Sequence, residues 1–213
     1  MVIDTHIHER QYSPDSRADI YGIVRQARAI GLDAVCITNH DDHQIKAVAR
    51  ELSVQLDFLI IPGCEVLTFQ GDVIVFGVEQ LPGKMVNAHE LVEYVNSYGG
   101  VAIAAHPFRS NNRGLGKLIA EIPGLAGAEG FNGNTCLEEN LLTCELAANC
   151  GLPLFGASDA HLNNRVGKYA TCFDCIIQSE ADFVAAVKTR QFWPVVLCPE
   201  RKVYRTISRE DYR

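Results

Sequence analysis

Histidine is where the apolar runs of this chain stop. Six of its seven histidines lie at or just past the end of a short apolar segment, with acidic residues at the same level. His6 and His8 follow Val2-Ile3, and His40 ends the run Val35-Cys36-Ile37-Thr38-Asn39. Glu65 follows Phe58–Ile61 in Gly63-Cys64-Glu65, His106 follows Val101–Ala105, and Asp159 and His161 stand in Ser158-Asp159-Ala160-His161 after Leu152–Ala157. The exception is His89, at the start of a helical segment. Residues two apart on an extended chain point the same way, so His6 with His8 and Asp159 with His161 are pairs able to grip one ion. A single histidine at a strand end is ordinarily a packed or surface residue. So many at one level demand a fold that gathers its strand ends into one place, which is what parallel α/β proteins do.

The rest of the chain reads the same way. Ile20, Ile23, Val24, Ala27 and Ile30 follow the 3.6-residue period of a helix, with Ser16 as its expected cap and Gly31 as its end. Ala34–Thr38 is the continuous apolar run of a strand buried on both faces. Helices are expected near 44–52, 88–98, 114–122, 138–150 and 181–190, with strands between them. Repeated strand–helix units predict an α/β fold, a distorted (β/α)7 TIM-like barrel in a single domain over residues 1–195, followed by a polar tail over 196–213.

The ordered segments Asp4-Thr5-His6-Ile7-His8, Thr38-Asn39-His40-Asp41, Gly63-Cys64-Glu65, Ala105-His106-Pro107 and Ser158-Asp159-Ala160-His161 resemble the PHP (polymerase and histidinol phosphatase) family over about residues 1–195. The resemblance implies the distorted barrel, two to three divalent metal ions at its strand ends, and phosphoester hydrolysis by a metal-activated hydroxide. It assigns His6, His8, Glu65 and Asp159 to one ion, His106 with the bridging Glu65 to a second, and Asp15, His40 and His161 to a third. His161 and His40 are the implied candidates for protonating the leaving oxygen. Two positions depart from the pattern. Asn39 replaces an aspartate expected to orient His40, and Asp72 stands where many relatives carry a histidine, either as a ligand or as a turn residue beside Gly71. Nitrogen and oxygen ligands without thiolate suit Mn, Fe or Zn.

Arg109, just past His106, has the fork geometry for phosphate oxygens. Arg165, Lys168 and Asn132 are further substrate-binding candidates, and Glu129 either helps orient a ligand or pairs with a core polar group. Nineteen basic against 26 acidic residues give a formal charge of −7. That sign disfavours polymeric nucleic acid and leaves a small-molecule phosphate ester as the expected partner, since bound cations reverse the local field. Without a signal-like or membrane-spanning segment, a cytoplasmic protein making no membrane contact is expected. The eight cysteines read as free thiols, and Cys172 and Cys175, three apart on an expected strand, do not chelate. The leading expectation is a phosphoesterase acting on a nucleotide such as AMP or a sugar phosphate. The alternatives are a histidinol phosphatase, a 5′ oligonucleotide exonuclease and a non-catalytic metal-stabilised binding module. The sequence leaves the oligomeric state open.

Overall fold

Side chains set the helix ends. In the computed structural model, which describes residues 1–208, Asp19 accepts the Gly22 N–H at 2.9 Å and starts α1 (Ile20–Ala29). Ser16, the expected cap, lies earlier: its hydroxyl donates to the His8 carbonyl and accepts the Ala18 N–H, so the capping passes to Asp19. Asn87 caps α3 (Ala88–Ser97), and Ser179 caps α5 (Glu180–Thr189). The left-handed Gly151 ends α4 (Leu137–Cys150). The expected helix near 114–122 is a 3-10 turn, Gly116–Ala120.

The strands are β1 (Val2–Ile7), β2 (Ala34–Ile37), β3 (Leu59–Pro62), β4 (Cys64–Leu67), β5 (Asp72–Phe76), β6 (Val101–Ala104), β7 (Gly127–Asn132), β8 (Leu154–Ala157), β9 (Tyr169–Phe173), β10 (Phe192–Cys198) and β11 (Val203–Thr206), with α2 (Ile45–Leu56) between β2 and β3. They form two mixed sheets, in the orders β11-β10-β9-β1-β2-β3 and β4-β5-β6-β7-β8. The α/β class stands, but the (β/α)7 TIM-like barrel expected from the sequence does not form: neither sheet closes on itself. A one-way ring needs parallel neighbours throughout, whereas β4 pairs antiparallel with β5, β5 with β6, and β9 with both β1 and β10.

Both seams have local causes. At Gly63 the chain leaves β3 and turns into the β4–β5 hairpin; a Cβ there would lie 2.4 Å from the Phe76 ring. Between β8 and β9, side chains replace a ladder. The Thr171 hydroxyl accepts the Gly156 N–H and donates to the Gly156 carbonyl, while Asp4 accepts the N–H groups of Ser158 and Gly167 at 2.9 and 2.8 Å. At one end of the molecule the sheets meet through two single bridges, Ile7 with Ala160 and His40 with Glu65. The free edge of β3 is blunted: the Ser53 hydroxyl takes the Ile60 N–H at 3.0 Å, and Pro62 has no N–H to offer.

The main core lies between the sheets. Ile3, Cys36 and Ile61 from one and Ile74, Phe76, Ile103 and Phe155 from the other pack together, with Phe183 of α5 inserted among them. The segment expected as a polar tail, 196–213, contains the end of β10 and all of β11, which pair antiparallel from Val195↔Thr206 to Cys198↔Val203; residues 209–213 lie outside the described residues. All eight cysteines are free. No helix among the described residues is long and apolar enough to cross a membrane.

Candidate metal centre

The bridged end of the two sheets collects the histidines. His6 is the penultimate residue of β1 and His8 follows the strand; His40 follows β2; Glu65 lies on β4, Asp72 opens β5, His106 follows β6, and Asp159 and His161 follow β8. The bridges themselves fall within the motifs, since Ile7 sits between His6 and His8, Ala160 sits between Asp159 and His161, and His40 pairs with Glu65. His106 (φ +27°) and Asp159 (φ +50°) occupy backbone conformations that side-chain-bearing residues rarely adopt, a strain typical of functional sites.

Three groups of donor atoms result: His6, His8 and Asp159; His8, His40 and His161; and Glu65, Asp72 and His106. Within each, the atoms lie within 4.8 Å of one another. Asp15 joins the second group, with Oδ2 3.1 Å from His40 Nε2 and 3.2 Å from His161 Nε2. Glu65 is central: Oε1 is 2.8 Å from His106 Nε2, and Oε2 lies 2.8, 3.3 and 3.5 Å from nitrogens of His40, His8 and His6.

The donor set fits cations. His6 Nε2 and His8 Nε2 face each other at 2.8 Å, with Asp159 Oδ1 3.6 and 3.2 Å away. His40 Nδ1 and Glu65 Oε2 are buried and 2.8 Å apart, yet off hydrogen-bond geometry and without another partner. Lone pairs that converge with too few protons between them are completed by an ion. Burial would depress His6, but Glu129, Asp159 and Glu65 override it and push its pKa well up, whereas burial takes His8 down to about 4. An ion ligated by both nitrogens would take the place of any proton held between the two rings. Despite burial, the surrounding histidines hold Glu65 well below the usual carboxylate range, and His6, His8 and Arg109 do the same for Asp159.

A ring of contacts outside the donors fixes them. Glu129 Oε1 accepts from His6 Nδ1 at 2.8 Å, which leaves Nε2 for the cluster; its Oε2 accepts the His106 N–H and Asn132 Nδ2. Asn132 is fully buried and binds Glu129, Asp159 and Arg109. Arg109 donates to Thr135, Asn132 and Asp159 Oδ2. The Asn39 side chain does not orient the His40 ring: its Oδ1 accepts the Glu9 N–H, while Asp15 Oδ2 pairs with His40 Nε2 and the Ser13 hydroxyl accepts the His40 N–H. Asp72, expected either as a ligand or as a turn residue, opens β5 with Oδ2 3.8 Å from His106 Nε2 and both oxygens engaged by Arg113. Sequence reasoning did not find Arg113 or Ser13, and nothing about a loop arginine or a lone serine in the sequence marks them.

A cleft of about 290 Å³ opens beside Asp159 and His161, lined also by Gly133, Asn134, Ser158, Leu162, Arg165 and Lys168. Lys168 donates to the Gly133 carbonyl, and burial together with Arg165 lowers its pKa. Larger hollows lie elsewhere, including one of about 630 Å³ between α2, β3 and the start of α5 that none of the clustered histidines lines.

The comparisons with known proteins bear out the resemblance to the PHP family. A family profile described as PHP-associated matches residues 138–192. The chain is 31% identical over 143 residues, 62% of its own length and 82% of the other, to the uncharacterized protein MJ1587 of Methanocaldococcus jannaschii. Among solved structures it resembles PsfC from Pseudomonas syringae, with TM-score 0.73, 21% identity, and 92% of this chain and 91% of that one covered. It also resembles a two-domain protein of Bacteroides vulgatus containing a predicted PHP-like metal-dependent phosphoesterase, with TM-score 0.69, 18% identity, and 92% of this chain and 65% of that one covered. At these identities the structural likeness is one of fold.

Proposed function

We propose that this protein is a metal-dependent phosphoesterase that hydrolyses a small phosphate monoester, a nucleotide such as AMP or a sugar phosphate. One observation carries the reading: a buried, proton-poor cluster of histidines and carboxylates opens onto a cleft whose wall holds two cations, Arg165 and Lys168. The clustered histidines and carboxylates would hold divalent ions, whether Mn, Fe or Zn, which when bound would supply an acidified water and positive charge for the phosphoryl oxygens. The protein's own residues do the rest. Glu129 fixes the tautomer of His6, and Arg109 and Asn132 fix Asp159. Arg165 and Lys168 attract the anionic substrate in a chain whose net charge would otherwise repel it. His40 and His161, the least buried of the clustered histidines, are placed to hand a proton to the leaving oxygen.

The test is phosphate release from AMP, sugar phosphates, histidinol phosphate and a 5′-phosphorylated oligonucleotide, with Mn, Fe and Zn compared. Turnover of a small monoester that is lost in His6→Ala is expected. Silence across the panel, with His6→Ala indistinguishable from the wild type, refutes the proposal.

A further inference from the structure

We infer that Arg113 takes the place of a divalent ion beside Asp72, so that the centre holds two ions rather than three. The inference rests on the metal-binding reading above and concerns which of the three donor groups can use it.

The two aspartates deepest in the cluster differ in what their arginines leave free. Arg109 engages only Oδ2 of Asp159, and Oδ1 remains turned toward His6, His8 and His161 at 3.6, 3.2 and 3.6 Å. Arg113 engages both oxygens of Asp72, with Nε 2.6 Å from Oδ2 and Nη2 2.9 Å from Oδ1. This is the bidentate fork in which a guanidinium satisfies a carboxylate most fully. The Asp72 carboxylate is buried, so its charge is met by the arginine and not by water. Beyond it, the third group has only Glu65 Oε1 and His106 Nε2, 2.8 Å apart. Two protein donors fall short of the three or four with which proteins hold such ions.

The pairing is built in by the backbone. The Asp72 N–H donates to the Arg113 carbonyl at 2.7 Å, so residue 113 clasps residue 72 with both main chain and side chain. The approach needs glycine on both sides. Gly71 has φ +148°, and a Cβ on it would lie 2.7 Å from the Gly114 carbonyl carbon; a Cβ on Gly114 would lie 2.1 Å from the Pro107 carbonyl oxygen. Asn112, just before Arg113, is itself left-handed at φ +60°. A surface arginine paired by chance needs none of this.

Metal content decides the matter. Wild type, Asp72→Asn, Arg113→Met and the double variant are loaded with excess Mn, desalted and counted by mass spectrometry, with circular dichroism confirming that each is folded. About two ions per chain are expected in the wild type and in Asp72→Asn, and about three in Arg113→Met, where Asp72 becomes free to ligate. The double variant, which leaves no unpaired buried charge, should return to about two. Should Arg113→Met fail to fold, the comparison of wild type with Asp72→Asn still decides. A wild type that holds three ions and loses one in Asp72→Asn overturns the inference alone, as does a folded Arg113→Met that stays at two. Fewer than one ion in the wild type overturns the proposed function with it.

Discussion

Exchanging Glu129 for glutamine changes almost no volume and removes one negative charge, yet it should weaken metal binding throughout the centre. In the wild type Oε2 accepts two N–H groups, from His106 and Asn132, while Oε1 accepts from His6 Nδ1. The glutamine oxygen must stay with the two donors, because turning it would set an NH2 against both of them. Its NH2 then faces His6 Nδ1, which can accept only if the ring carries its proton on Nε2. That is the atom 2.8 Å from His8 Nε2, the position where an ion would bind. Loss of a carboxylate behind a ligating histidine typically costs 10–100-fold in metal affinity, about 1.4–2.7 kcal/mol. Competition against a chromophoric chelator at fixed pH measures the change, and nitrogen-detected NMR of the His6 ring reports the tautomer. An affinity within about twofold of wild type, with the proton still on Nδ1, would refute the reasoning.

Two further outcomes follow from the seams between the sheets. Burial raises the Asp4 carboxyl from 3.8 to about 6. The folded state therefore holds that proton more tightly than the unfolded chain, and stability falls as pH rises from about 4 to about 6, by roughly 3 kcal/mol. Urea midpoints of metal-free protein should show this slope in the wild type and lose it in Asp4→Asn; parallel profiles would contradict it. At the other side of the same seam, Gly156→Ala would place a methyl 2.4 Å from the Ala170 carbonyl oxygen, a backbone atom that cannot swing aside. A cost of about 1–3 kcal/mol is expected, at roughly 2–4 °C of Tm per kcal/mol, and an unchanged melting curve would show that the strands are not held as closely as described.

Most of the candidate donors were legible in the sequence because they are announced locally, whereas Asp15 and Asp72 came only from the family resemblance. An apolar run marks the strand, its end marks the level, and a spacing of two turns both side chains the same way, as in His6 with His8. The helices were legible from periodicity, with boundaries moved by single hydrogen bonds such as that of Asp19. The failure of the barrel to close was not legible. Strand count suggests a ring, but pairing direction decides it, and the turn at Gly63 and the side-chain seam of Asp4 and Thr171 appear only when distant segments meet. Partners are hidden for the same reason. Glu129 lies 123 residues from His6, and Arg113 lies 41 from Asp72. Neither separation leaves a local pattern, although a glutamate in the middle of a buried strand such as β7 does signal that something must neutralise it.

The two single bridges have a consequence for how the protein is made. The bridge of Ile7 with Ala160 joins the beginning of the chain to a segment far along it: His6 and His8 must wait for Asp159 and His161, and β1 must wait for β9 before its second edge is covered. A nascent chain that has produced only the first histidines therefore has no cage to offer a passing ion. The donor sets are complete only after both halves have docked, so an ion bound there would seal a finished fold and reward no incomplete one.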